Sequence, residues 1–267
     1  MNGRSLALGQ YYPADSPLHA LDPRGKLGLS VAFITAIFFI NNLAVMLATA
    51  ILIPILAAVA RLPFKWVLKG LRPLAFIVIF TFLVHVFFTP GPALFALGPV
   101  AATTSGLRRA VFYSLRLVLV ILFSTFITLT TTPVKLTEAI ESILSPLKKL
   151  RFPAHEIALM MTIALRFIPT LLSEAETIIK AQKARGADFD SGHIWRRAKS
   201  FVPLLIPLFV SAFRRADELA MAMEARGYSG GEGRTRLHVL KIGLTDLAWL
   251  AGGLAAAIVL VMIGWQA

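Results

Sequence analysis

Between Lys26 and Arg61 the sequence runs for thirty-four residues without a charged side chain. A stretch that long and that apolar is two membrane spans rather than one buried helix, because a span needs about 20 apolar residues. Lipid offers the backbone no hydrogen-bond partners, so each span has to be a helix that satisfies itself. The sequence predicts helices over Leu27–Ile40 and Leu43–Ala60, with Asn41-Asn42 as the turn between them. Both are short for a span. Local thinning of the bilayer, or flanking Lys and Arg, accommodates the difference.

Arg61, Lys65, Lys69 and Arg72 crowd the next loop. Cytoplasmic loops carry the excess of Lys and Arg, which places this loop and the N-terminus inside. A third span is expected over Pro73–Thr89. The uncharged loop from Pro90 to Gly106 reads as external, and a fourth span runs from about Ala110 to Thr131. Arg108 and Arg109 flank the outer end of that span and Arg116 lies within it, against the usual bias. The last clean apolar segment, Leu247–Trp265, is a fifth span and leaves the C-terminus outside. Residues 1–26 contain three prolines and several charges but no apolar core of a signal peptide, so insertion is expected to begin at the first span.

The bulk numbers agree with a lipid environment. The chain is 57% hydrophobic, against about 45–50% apolar in soluble domains. Its net charge of +13 follows from the positive-inside bias, and no recognisable nucleic-acid-binding module is present. There is no cysteine, hence no disulfide, thiolate metal site or cysteine nucleophile.

Thr132 to Lys241 is different. It holds 17 of the 27 basic residues and 11 of the 14 acidic ones. Its apolar runs read as too short or interrupted for spans. The longest, Phe201–Phe213, contains Pro203 and Pro207. Three helices are expected here. The first covers Val134–Leu150, with Leu136, Ile140, Ile143 and Leu147 on one face. The second covers Ala154 to Arg185, bent near Pro169, and the third Ile194 to Arg226. The chain thus divides into a cytoplasmic N-terminal segment (1–26), four transmembrane helices (27–131), a cytoplasmic region of long helices (132–243) and a C-terminal transmembrane helix (244–267). The fold class is an all-α polytopic membrane protein.

The second and third helices end alike, in Ala181-Gln182-Lys183-Ala184-Arg185-Gly186 and Ala222-Met223-Glu224-Ala225-Arg226-Gly227. Each is Ala-x-x-Ala-Arg-Gly, and the copies are 41 residues apart. Glycine past the last turn is a left-handed cap, and arginine at a helix C-terminus is favoured by the dipole. One such ending is an ordinary helix stop with a solvated arginine. A matched pair suits a partner with two similar acidic grooves, where guanidinium makes forked bonds to carboxylate. The candidate docking residues are Ala184, Arg185, Gly186, Ala225, Arg226 and Gly227.

Over nearly its whole length the chain resembles the CbiQ-like EcfT family, the transmembrane coupling components of energy-coupling-factor transporters. The resemblance rests on Leu18-His19-Ala20-Leu21-Asp22-Pro23-Arg24, Leu129-Thr130-Thr131-Thr132-Pro133 and Pro146-Leu147-Lys148-Lys149-Leu150. Ala164-Leu165-Arg166-Phe167-Ile168-Pro169, Phe209-Val210-Ser211-Ala212-Phe213 and Glu224-Ala225-Arg226-Gly227-Tyr228 complete it, with both Ala-Arg-Gly endings. The resemblance implies that the two endings sit in grooves of two ATP-binding-cassette ATPase subunits, and that the long helices cross and carry a membrane-embedded substrate-binding subunit. It looks more like the shared type, serving several interchangeable vitamin-binding subunits, than a dedicated cobalt or nickel relative. It implies a bacterial inner-membrane location, no catalytic site and no cofactor, with ATP bound by the partners.

Other signals are weaker. Tyr228-Ser229-Gly230-Gly231-Glu232 resembles an ABC signature loop, but the chain has no G-x-x-x-x-G-K-[ST] phosphate loop. The histidines at 19, 85, 155, 193 and 238 show no metal-site pairing. His85 falls within a span and is a proton-relay candidate or a polar contact to a neighbouring helix. No acidic residue lies between Asp22 and Glu138, which argues against a self-contained secondary transporter or an intramembrane enzyme. Arg166 is expected to cap another helix, to snorkel, or to pair with Glu138 or Glu141. Arg214 and Arg215 are expected to pair with Asp217 and Glu218 along their own helix.

Overall fold

In the computed structural model, residues 11–97, 100–146, 153–187, 201–230 and 243–266 are described. The chain divides into two compact units, one holding Gly9–Ala139 with Val239–Ala267, the other chiefly Ile140–His238. Residues 147–150 of the first expected helix, residues 194–200 at the expected start of the third, His193, His238, Gly231 and Glu232 lie outside the described residues, as do those parts of the motifs above.

The first unit contains α1 (Pro17–Ala20), α2 (Pro23–Phe39), α3 (Leu43–Val59), α4 (Phe64–Lys69), a 3-10 turn (Arg72–Leu74) and α5 (Ala75–Phe88). A two-stranded ribbon, β1 (Ala93–Leu97) and β2 (Val100–Thr103), leads into α6 (Thr104–Thr130). The unit also takes in the first turns of α7 (Pro133–Leu144) and, near the C-terminus, the helix Leu244–Gln266, here α10. The central helix is α6, which packs against α2, α3, α4 and α5. Ile37, Ile40, Met46, Leu119 and Leu129 are fully buried there, and Phe33 stacks on Phe123 at 5.0 Å between centroids.

The rest of the apolar surface faces outward. On α5, Phe76 is 77% exposed and Phe80, Ile79 and Phe88 are exposed beside it. An apolar face of this extent has lipid, not water, as its solvent. Phe64–Phe88, Thr104–Thr130 and Leu244–Trp265 are long and apolar enough to cross a membrane, and Leu43–Val59 is apolar but shorter.

The expected helices exist, with shifted ends. Asn42 caps α3, its side chain accepting from the Ala44 N–H at 2.7 Å, so the Asn-Asn pair is the turn between α2 and α3. The helix over the fourth span begins at Thr104 rather than near Ala110, because the Thr103 hydroxyl accepts from the Gly106 N–H at 2.9 Å and caps it. Arg108 and Arg109 are therefore inside the first turns of α6. Arg116 explains its own presence in a span. Its Nη2 donates to the carbonyl of Ile40, which ends α2, and its guanidinium lies over the Phe112 and Tyr113 rings. The loop read as plain external connection contains the ribbon instead. His85 bonds within its own helix, to the Thr81 carbonyl at 2.8 Å, and its ring meets Tyr113 of α6 at 4.6 Å.

The N-terminal motif is a set of caps that locks onto the end of α6. Ser16 caps α1. Asp22 caps α2 with Pro23 at the first helical position, and pairs with Arg24 at 3.0 Å. Buried Lys26 donates to the His19 carbonyl at 3.2 Å and the Thr130 carbonyl at 3.1 Å. Asp246, at the start of α10, accepts from the Asp22 N–H at 2.9 Å and the Gly243 N–H at 2.8 Å. Arg61, with a positive φ of 52°, donates to the Asp15 carbonyl at 3.0 Å and ties the α3–α4 loop to this junction.

The second unit holds the end of α7, α8 (Ala154–Ala184) and α9 (Val202–Ala225). The helix expected over Val134–Leu150 is shorter, because α7 ends at Leu144. Pro169 and Pro207 stand inside α8 and α9. One expectation changes here. By length and composition His155–Ala184 also meets the measure of a membrane span, with a mean hydropathy of 1.5. The charged residues of the region are concentrated outside its apolar stretch, which is longer than the short runs read from the sequence.

Candidate functional site

α8 and α9 end in the same geometry. At the end of α8, the Gly186 N–H donates to the Lys183 carbonyl at 3.0 Å and the Ala187 N–H to the Gln182 carbonyl at 2.9 Å. At the end of α9, the Gly227 N–H donates to Glu224 at 2.8 Å and the Tyr228 N–H to Met223 at 3.0 Å. These are two Schellman caps, with the arginine as the last half-helical residue and the glycine in the left-handed region. The glycine φ values are +87° at Gly186 and +73° at Gly227. A Cβ at either glycine would meet nothing within 4 Å, so the residue is required by the backbone angle and not by crowding.

The cap aims the chain away from the helix axis and leaves the arginine at the outer edge. Ala184, Arg185 and Gly186 are all exposed, as are Ala225, Arg226 and Gly227. All six candidate residues thus sit as two surface tips rather than as one enclosed pocket.

The helices that carry the tips are joined. Arg215 Nη2 donates to Glu174 Oε2 at 3.4 Å, and its Nε donates to the Ser211 hydroxyl at 3.5 Å. This corrects the expectation that Arg215 pairs with Asp217 or Glu218 of its own helix. Glu141 likewise pairs with His155, at 3.1 Å, and not with Arg166. Arg166 instead lines a cleft of about 410 Å3 between the first half of α8 and the end of α9, with Thr162, Met223, Arg226, Tyr228 and Ser229.

The cleft also fixes direction. Moving back along α8 from Glu174 to Leu159 accompanies moving forward along α9 from Arg215 to Gly230. The two helices therefore pass each other in opposite senses, and the tips lie at opposite ends of the pair. Each tip is eleven residues from the bridge, so at 1.5 Å per residue the two arginines are up to about 33 Å apart.

Residues 14–237 match the family model of the cobalt transport protein CbiQ. The chain is 50% identical over 266 residues to the energy-coupling factor transporter transmembrane protein EcfT of Brevibacillus brevis, covering 98% of both chains. It is 50% identical over 237 residues to EcfT of Bacillus subtilis, covering 88% of this chain and 89% of that one. With EcfT of Thermosediminibacter oceani it shares 47% identity over 254 residues, 95% of this chain and 96% of the relative. The chain belongs to the EcfT family. This EcfT chain is a transporter membrane protein, and its family motifs fall into two structural groups. The N-terminal motif and the Leu129–Pro133 motif meet at Lys26, where they hold helices together. The paired Ala-Arg-Gly motifs make exposed tips.

Sequence reasoning missed the bridge between α8 and α9. It searched for partners four residues away on the same helix. Which residues of α8 and α9 face each other depends on how the two helices cross, and the spacing within one helix carries no signal of it.

Proposed function

We propose that this chain is the energy-coupling subunit of an energy-coupling-factor transporter. Arg185 and Arg226 dock in grooves of two ATP-binding-cassette subunits. When those subunits bind ATP and close, the grooves carry the two tips with them. α8 and α9 act as stiff levers, and their motion shifts the apolar surface that holds a membrane-embedded substrate-binding subunit. That subunit reorients and releases its vitamin inside. Work is transmitted only if the tips contact the open and closed ATPase states differently.

One observation carries this reading: two long helices end in the same cap, each presenting an exposed arginine. The cargo pocket belongs to the other membrane subunit, so this chain need not distinguish cargoes. The support for a shared module over a cobalt-dedicated one is the likeness to relatives named as energy-coupling factor transporter transmembrane proteins. The partners are then two ABC ATPases, several interchangeable substrate-binding subunits and the lipid bilayer, in the bacterial cell membrane. The hydrogen bond from Arg61 to Asp15 supports a common side for the basic α3–α4 loop and the N-terminal segment. By the positive-inside rule that side is the cytoplasm, and the C-terminus after α10 is external.

The test is alanine at both arginines. Arg185→Ala and Arg226→Ala together abolish ATP-driven uptake and release the ATPases, while the protein still inserts. Truncating one side of a buried charge pair costs about 2–5 kcal/mol. Unchanged uptake and ATPase retention in the double variant removes the docking role.

A further inference from the structure

The two tips carry the same cap but stand in different surroundings. The cleft at the Arg226 tip is walled by a second guanidinium, Arg166, from the facing helix. Arg166 is exposed. The other lining side chains are polar or apolar: Thr162, Tyr228 and Ser229 on one hand, Leu159, Ile163, Leu219 and Met223 on the other. Among the described residues no carboxylate lines the cleft. Two cations therefore share one recess of about 410 Å3 that has no carboxylate among its described lining residues. The register of the helix pair, followed the other way from the Glu174–Arg215 bridge, leads from Arg185 toward the first turns of α9. Those turns, Val202 to Ile206, are apolar and hold no basic side chain.

We propose that Arg166 is a second docking residue, and that the Arg166–Arg226 cleft receives an acidic segment of one nucleotide-binding partner bearing two carboxylates. The inference rests on the docking reading above and deepens it. Two guanidinium groups, each with a planar fork of donors, match paired carboxylates better than they match one. Two like charges in one recess attract an anion, and acidic groups that enter it relieve their mutual repulsion. Ser229 adds a hydroxyl that donates to the same oxygens, while the Thr162 hydroxyl donates to the Ala158 carbonyl at 2.8 Å. Among the described residues the first turns of α9 bring no second guanidinium toward the Arg185 tip, so that tip suits a groove with a single carboxylate. The two ends of the lever pair are thereby keyed to different grooves, and the orientation of this chain on a pair of unlike ATPases is fixed by charge number.

The experiment uses the full complex with both ATPases and a substrate-binding subunit, assembled in nanodiscs. The chain has no cysteine of its own, so Ser229→Cys and Ala187→Cys give single sites for a short photo-crosslinker. The expected result is that the Ser229 site captures one ATPase and the Ala187 site captures the other. Arg166→Ala is expected to weaken retention of the ATPase captured from Ser229 by about tenfold or more. It leaves the other ATPase in place and lowers the salt sensitivity of release. Arg166→Lys, which keeps the charge and loses the fork, falls between. Insertion and melting of each variant are measured in parallel, and the salt dependence reads a charge role that a packing role does not move.

Capture of both ATPases equally from each site overturns the inference, as does a tip loss confined to Arg226→Ala with Arg166→Ala at full retention; in the latter case the docking reading itself stands. Failure of the docking reading is a different outcome, with Arg185→Ala and Arg226→Ala both leaving assembly intact. If the Ser229 crosslinker labels lipid, and the effect of Arg166→Ala disappears in nanodiscs lacking anionic lipid, the cleft binds a lipid headgroup and the inference is overturned.

Discussion

Arg215 of α9 donates to the carboxylate of Glu174 on α8 at 3.4 Å, and each of these residues stands eleven positions before the arginine that ends its helix. Eleven residues make about three full turns. The bridge and the tip on each helix therefore lie on nearly one face, and the bridge sits midway between the two tips. Both partners are partly exposed, at 37% and 27% of their side chains, so the pair contributes no more than about 1 kcal/mol to stability. Its position matters more than its strength. Arg215→Ala is expected to leave both ATPases bound while lowering uptake per ATP hydrolysed, because the levers lose the tie that makes them move together. Exchanging the charges, with Glu174→Arg and Arg215→Glu, restores uptake toward the parent value. Vesicle uptake measured beside ATP hydrolysis checks this, and an unchanged ratio in Arg215→Ala rules the tie out.

Gly186 and Gly227 hold the tips through their positive φ, and space around them is open. Alanine at either position costs about 1 kcal/mol of local cap energy. Asparagine, which tolerates the left-handed region, costs less. The expected order of ATPase retention is Gly, then Asn, then Ala, then Val, at each tip separately. Retention of co-purified ATPase across this series measures it. A series ordered by side-chain volume alone would mean that contact with the partner, not backbone angle, sets the requirement.

Much of this was legible in the sequence because lipid demands long apolar runs and leaves few alternatives. The charge-free stretch from residue 27 to 60 reads as α2 and α3 with an Asn turn, and the structure has them. The glycines after Arg185 and Arg226 read as left-handed caps, and both φ values are positive. Helix ends were less legible where a side chain decides them. The Thr103 hydroxyl starts α6 earlier than hydropathy does, and a polar residue before an apolar run carries no unique signal. The ribbon at Ala93–Thr103 was not legible, since its residues are almost all apolar and do not alternate with polar ones. Pairings across helices, such as Glu174 with Arg215 and Glu141 with His155, depend on the crossing of α7, α8 and α9. Same-helix spacing cannot reveal them.

Lys26 is buried and spends two of its protons on the carbonyls of His19 and Thr130. It thereby joins the N-terminal caps to the end of α6. Lys26→Met keeps much of the apolar stem but strands both carbonyls, at a cost of about 1–3 kcal/mol for a buried group left unsatisfied. The expected outcome is a lower melting temperature in detergent with the same oligomeric composition. Lys26→Arg, which retains donors, loses less. Thermal unfolding by intrinsic tryptophan fluorescence reads the difference, and equal melting for Met and the parent would show that water satisfies those carbonyls instead.

His19 makes this junction sensitive to pH. Its Nε2–H donates to the Tyr12 carbonyl at 3.0 Å, which leaves Nδ1 to accept from the Ser16 hydroxyl at 2.6 Å. That arrangement uses the neutral ring. Burial is the main cause that holds its pKa below the ordinary value of 6.5, with the nearby Lys26 charge acting in the same direction. A group whose folded pKa is depressed binds more protons when unfolded, so stability rises with pH through the window just below 6.5. The stabilisation is complete above the unfolded pKa and is lost as pH falls toward the folded one. Melting in detergent should therefore drop between pH 7.5 and pH 5.5. His19→Gln, which keeps a donor and an acceptor without titrating, should flatten that part of the profile. The comparison is between the two profiles, since carboxylates shared by both proteins cancel. A parent and variant that lose stability in parallel would place the acid sensitivity elsewhere in the chain.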